Sequence, residues 1–110
     1  MQVFAAESIE AEPATDAAGV TLRWVIAHNV NAPNFYMRII EVQPGAATAK
    51  HSHAWEHEVY ILEGAGSVSG AQDARALKPG ACVYVSPNEL HQFTNTGQTP
   101  LRFICVIPRL

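Results

Sequence analysis

The stretch GAATAKHSHAWEHEVYILEG, residues 45–64, places three histidines between two glycines, at His51, His53 and His57. His51 and His53 are two residues apart, so in extended backbone their side chains leave the chain on the same face. After Ala54-Trp55-Glu56 the pattern alternates. His57, Val59 and Ile61 share one face, while Glu58, Tyr60 and Leu62 share the other. This is a strand bounded by turn residues, and the histidines precede it or open it.

Outward from that stretch the same grammar repeats. Val20 to Ala27 alternates, with Val20, Leu22, Trp24 and Ile26 on one face, and Phe35 to Val42 is a second β-rich run. Gln43-Pro44-Gly45 turns the chain into an expected strand over Ala46 to His53. Later runs cover Ser67 to Ser69, Ala74 to Leu77, Ala81 to Val85, Leu90 to Thr94 and Leu101 to Ile107. Their connections are rich in Gly, Pro and Asn, which is the signature of an all-β antiparallel sandwich or barrel. No segment holds a 3.6-residue apolar period over the length of a helix. The 110 residues read as one domain, 1–110, with residues 1–15 an acidic N-terminal tail or an edge strand exchanged with a partner subunit.

Composition narrows the function. Hydrophobic residues make up 48% and charged residues 15%, a folded rather than disordered balance. The net charge is −3, and the seven Lys and Arg are scattered, which argues against nucleic acid as a partner. No apolar run is long enough for a membrane span, and the N-terminus lacks the pattern of a signal peptide, so a cytoplasmic location is expected. Cys82 and Cys105 both sit in apolar runs and read as small buried hydrophobes, with a disulfide between them left open.

A fourth histidine, His91, lies in a second glycine-framed group: Gly80 is eleven positions before it and Asn95 four after. Neutral imidazole is the commonest metal-ligating side chain, and four of them suit a single divalent ion. With this spacing the sequence resembles the cupin superfamily. Gly45, His51, His53 and Gly64 match its first motif, and Gly80, His91 and Asn95 match its second. Pro87 is one position late, and Asn88 stands where the family has an inner glycine. Asn is the residue that best tolerates a left-handed turn after Gly. The count to Gly64 puts His57 in the position of the family's glutamate, whereas one more residue would select Glu58. The runs around Ala32 to Arg38, His51 to Glu58 and Pro87 to His91 resemble the small manganese cupins with four histidine ligands, which supports His57.

That resemblance implies a double-stranded β-helix, or jelly-roll, fold and a homodimer. It also implies one divalent ion on His51, His53, His57 and His91, with manganese ahead of iron, copper, nickel or zinc. Four neutral imidazoles leave both charges of such an ion uncompensated, so its ligand should be a small anion. The expected function is an oxidoreductase of dioxygenase type acting on a small anionic or enolisable molecule. Alternatives are a metal-assisted decarboxylase or isomerase, or a non-catalytic module that binds a carboxylate or sugar. Arg38 is expected to orient the substrate, with Phe103 and Cys105 shaping the pocket. Arg38 could instead pair with Glu41 or Glu63, Glu58 could hydrogen-bond a ligand imidazole, and Trp55 could line the mouth. His28 reads as a lone hydrogen-bonded residue.

Overall fold

A computed structural model describes residues 1–110 and consists of nine strands with two single turns of 3-10 helix, at Ala6–Ser8 and His28–Val30. The strands are β1 (Glu12–Pro13), β2 (Val20–Ile26), β3 (Phe35–Val42), β4 (His57–Glu63), β5 (Gly66–Ser69), β6 (Ala74–Leu77), β7 (Cys82–Val85), β8 (Gln92–Asn95) and β9 (Leu101–Pro108). Six strands form one sheet in the order β1-β2-β3-β9-β4-β7, and three form another in the order β6-β5-β8. Every pairing is antiparallel. No helix is long and apolar enough to cross a membrane.

β9 organises the core. Its residues alternate strictly between buried and half-buried, so Leu101, Phe103, Cys105 and Ile107 point inward. They meet Tyr36, Ile40 and Val42 of β3 and Val59 and Ile61 of β4. The two sheets touch through Phe93 of β8 and Phe103, whose rings stack at 4.7 Å. Asn95 fastens the rim. Its amide donates to the carbonyls of Val42 and Thr99, each at 2.8 Å, and its oxygen accepts from the Gly97 N–H. At the other motif's end, Gly64 has φ +89°, and a Cβ there would lie 2.5 Å from the Pro100 carbonyl oxygen.

Four expectations need correction. Ala46 to His53 is not a regular strand: it touches its neighbours through two isolated bridges, Ala47 to Thr94 and His51 to His91. Side chains take the place of the ladder there, since Phe93 N–H donates to Thr48 Oγ1 and Gln92 Nε2 to the Thr48 carbonyl, both at 2.9 Å. The register of β2 slips between Trp24 and Ile26, so Val25 is buried and Ile26 faces outward. Cys82 is exposed and Cys105 buried, and both are free thiols, because Cys82 lies on the outward face opposite Tyr60. The ion pairs with Glu41 and Glu63 belong to Arg102, at 3.4 and 3.5 Å, while Arg38 points inward opposite Cys105. Within the N-terminal segment, Glu12 and Pro13 of β1 pair with Leu22 and Thr21 of β2, and Arg23 donates to the Ile9 carbonyl.

Candidate metal centre

The four histidines of the two motifs converge at one end of the space between the sheets. His51 and His91 are joined by backbone, N–H to carbonyl, at 3.2 and 2.9 Å. His53 is held by the second motif in turn, because its carbonyl accepts the Asn88 N–H at 2.7 Å. Asn88 sits at φ +66°, the left-handed conformation that the motif's glycine would take. His57 opens β4 on its inward face and is 7% exposed.

The imidazoles form a tight group. The ligating nitrogens of His51, His53 and His91 lie within 4.8 Å of one another, a three-histidine set able to hold a metal ion. The His57 ring is 4.6 Å from that of His53 and 5.0 Å from that of His91, centroid to centroid. Its Nε2 is 2.7 Å from Nε2 of His53. The backbone sets two tautomers. His53 Nδ1–H donates to the Trp55 carbonyl at 2.9 Å, and His91 Nδ1–H donates to the Glu89 carbonyl at 2.8 Å. Each therefore keeps its lone pair on Nε2. Trp55 also stacks flat on the His53 ring, 4.2 Å away and inclined by 6°.

Electrostatics keep the group neutral. Burial lowers the pKa of His51, His53 and His91, with proximity to one another adding to it. His57 is pushed down to about 3, first by burial, then by the Arg38 guanidinium and the other imidazoles. Neutral imidazoles are what a divalent ion requires, and His53 and His91 already present Nε2 lone pairs, so these residues fit a metal.

The rings open into a cavity of about 150 Å³. Its wall is mainly apolar, with Leu22, Ile40, Trp55, Phe93 and Phe103. Arg38 and Cys105 are also part of it. Arg38 Nη2 donates to Cys105 Sγ at 3.1 Å and lies 3.4 Å from His57 Nδ1. Its guanidinium carbon is 5.3 Å from the centre of the Trp24 ring, and its Nε is buried without a partner.

Glu58 is not part of this group. It points outward, opposite Tyr84, and shares a hydrogen bond with Glu56, which with partial burial raises its carboxyl to about 6. His28 bonds the Tyr36 hydroxyl at 3.1 Å. Sequence reasoning missed Asp16, which lines the cavity from the segment between β1 and β2 together with Ala14 and Ala17. Nothing in the local pattern signals it. Trp24 was legible only as one member of an alternating apolar face.

The cupin-domain family model matches residues 38–107. Among curated proteins, an uncharacterised protein of Methanocaldococcus jannaschii is 31% identical over 80 residues, covering 66% of this chain and 64% of its own length. The oxalate-binding protein of Thermotoga maritima is 33% identical over 69 residues, 62% of this chain and 57% of its own. The chain thus spans less than two thirds of either relative. Among solved structures, the polyketide cyclase RemF from Streptomyces resistomycificus superposes with a TM-score of 0.91 at 28% identity, covering 98% of this chain and 79% of that one. A predicted oxalate decarboxylase from Thermotoga maritima shares the fold, with a TM-score of 0.85 at 23% identity, over 99% of this chain and 100% of that one.

Proposed function

The chain belongs to the cupin family, and on that premise we propose that it is a metal-dependent enzyme acting on a small enolisable or anionic molecule in the cavity between the sheets. His51, His53, His57 and His91 would hold one divalent ion. Manganese heads the candidates by resemblance, although imidazoles alone do not choose among Mn, Fe, Ni, Cu and Zn. The observation that carries this reading is the convergence of four neutral imidazoles on a cavity that also receives the Arg38 guanidinium.

A divalent ion held there would supply Lewis-acid polarisation of a substrate carbonyl or carboxylate. The chain's own groups do the rest. Four uncharged imidazoles offset none of a divalent charge, and Arg38 adds another positive charge, so the pocket favours anionic oxygen. Leu22, Ile40, Phe93 and Phe103 exclude water and strengthen that preference. Asp16, an exposed residue, is the one Asp or Glu among those lining the cavity, and would be the group to accept a proton from an enolisable substrate.

Two relatives point to the same substrate chemistry. Polyketides and oxalate, the compounds in the names of the cyclase and of the oxalate-binding protein, both carry paired oxygens able to chelate. The likeness to the cyclase favours non-oxidative carbon chemistry on a carbonyl substrate. A dioxygenase-type oxidoreductase is the second reading, favoured by the open, anion-seeking character of a four-imidazole site. An oxygen electrode with the metal-loaded protein and a panel of β-diketones separates them. Substrate turnover without oxygen uptake supports the first reading, and stoichiometric uptake supports the second. Thermal stabilisation by oxalate or a diketone with no turnover of any compound would reduce the protein to a binding module.

A further inference from the structure

The inward neighbours of His57 carry information that the metal-ligand set alone does not. His53 spends its Nδ1–H on the Trp55 carbonyl, so its Nε2 has only a lone pair. The 2.7 Å contact between the Nε2 atoms of His53 and His57 then requires the proton to sit on His57 Nε2. His57 Nδ1 is left as an acceptor. Two groups lie within hydrogen-bonding distance of it: Cys105 Sγ at 2.9 Å and Arg38 Nη2 at 3.4 Å. Arg38 already donates to Sγ at 3.1 Å, which frees the thiol S–H to point at Nδ1. The hydrogen bonds therefore run in one direction, from Arg38 through Cys105, His57 and His53 to the carbonyl of Trp55.

In that arrangement His57 presents an N–H, not a lone pair, to its fellow imidazoles. To act as a ligand through Nε2 it must carry its proton on Nδ1 instead, and Nδ1–H then needs an acceptor. Arg38 has five donors and no acceptor. Cys105 Sγ both donates and accepts, and of the two groups beside Nδ1 it alone can serve both tautomers. We propose that Cys105, braced by Arg38, is a positioning residue that allows His57 to turn its lone pair toward the other three imidazoles. This inference rests on the metal-centre reading above. No proton is gained or lost: the imidazole proton moves from Nε2 to Nδ1, and the S–H turns away so that a sulfur lone pair accepts the hydrogen bond from Nδ1–H.

Without the thiol, Nδ1 faces only the donors of Arg38, and the Nε2–H tautomer is locked. Cys105→Ala should then behave as though the fourth histidine were missing. Cys105→Ser, which keeps a group able to donate and accept, should restore it. If Cys105 were merely packing, alanine would be tolerated at least as well as serine, because serine buries a hydroxyl.

The experiment titrates metal-free wild type, C105S, C105A and H57A with Co2+, reading the visible absorption spectrum and the dissociation constant. Wild type and C105S should share one spectrum. C105A should share that of H57A, with affinity lower by on the order of 10–100-fold, the usual effect of losing the partner of a ligating imidazole. A C105A spectrum and affinity equal to wild type, or a C105S indistinguishable from C105A, overturns the inference while leaving the metal centre intact. A wild type that binds no Co2+ overturns the metal centre itself, and this inference with it. Long-range proton–nitrogen NMR of metal-free wild type is independent of how any variant folds. It should show His57 protonated on Nε2, and protonation on Nδ1 would refute the chain of bonds described.

Discussion

His51 and His91, forty residues apart in sequence, face each other as one isolated pair, each backbone N–H donating to the other's carbonyl at 3.2 and 2.9 Å. The contact is made by backbone alone, so it fixes where both side chains start without depending on either. His51→Ala and His91→Ala should therefore fold with nearly wild-type stability in metal-free form. A melting shift below about 4 °C, roughly 1 kcal/mol for a domain of this size, is expected by circular dichroism. Both should lose the stabilisation that excess metal gives wild type, which is about 2.7 kcal/mol at a hundredfold excess over Kd. Unfolding of either variant would show that the side chains hold the bridge together.

Acid should weaken the metal-free protein. His57 titrates at about 3 when folded against an ordinary 6.5, so the unfolded chain binds its proton first as pH falls. His51, His53 and His91 are shifted in the same direction. Stability is then complete above pH 6.5 and is lost progressively toward pH 3. Glu58, raised to about 6, works the other way between pH 6 and 4.5, but it is largely exposed and its effect is screened. Urea midpoints measured from pH 7 to pH 4 should fall, and should fall less in His57→Gln. A midpoint that is flat or rises with acid contradicts this account.

The Asn88 backbone conformation gives a prediction with a sign. At φ +66° a glycine is at ease and a β-branched residue is strained. Asn88→Gly should leave stability nearly unchanged, while Asn88→Val should cost about 1–2 kcal/mol. Because the Asn88 N–H holds the His53 carbonyl, metal affinity should fall in the valine variant alone. Equal behaviour of the two variants in urea unfolding would count against the turn's role.

The core makes a demand of its own. Phe103 is fully buried and stacks on Phe93 between the sheets. Phe103→Ala should destabilise by about 3–5 kcal/mol, through lost apolar burial and the void left behind. Phe103→Leu should cost much less, since most of the buried volume is kept. Comparable losses in both variants would mean the site is not packed as described.

Asp16 offers a test on the chemistry. It is the one Asp or Glu among the residues lining the cavity, so Asp16→Asn should lower kcat on a β-diketone by on the order of 100-fold. Co2+ affinity should be unaffected. An unchanged kcat would remove Asp16 from the proposed mechanism.

Where period-2 logic applies undisturbed, sequence and structure agree closely. Leu101, Phe103, Cys105 and Ile107 face inward and Arg102 outward, because β9 pairs with β3 residue for residue and the slip in its pairing with β4 falls on the β4 side, between Ile61 and Glu63. His57 faces the cavity and Glu58 faces away for the same reason. The logic fails where side chains or slips intervene. Thr48 takes bonds that a ladder would use, so 46–53 is not a regular strand. The slip after Trp24 turns Ile26 outward. Cys82 has apolar neighbours in sequence yet lies on an outer face. Asp16 reaches the cavity through tertiary packing of a segment with no period at all, which no local pattern encodes.

The central claim is that His51, His53, His57 and His91 together hold one divalent ion. Elemental analysis of untagged protein, purified without added metal and then saturated with Mn2+ and desalted, tests it most directly. One ion per wild-type chain is predicted, with a clear loss in His57→Ala and none in Glu58→Ala. A wild type that retains no ion, or a His57→Ala that retains the full equivalent while Glu58→Ala loses it, would contradict the account.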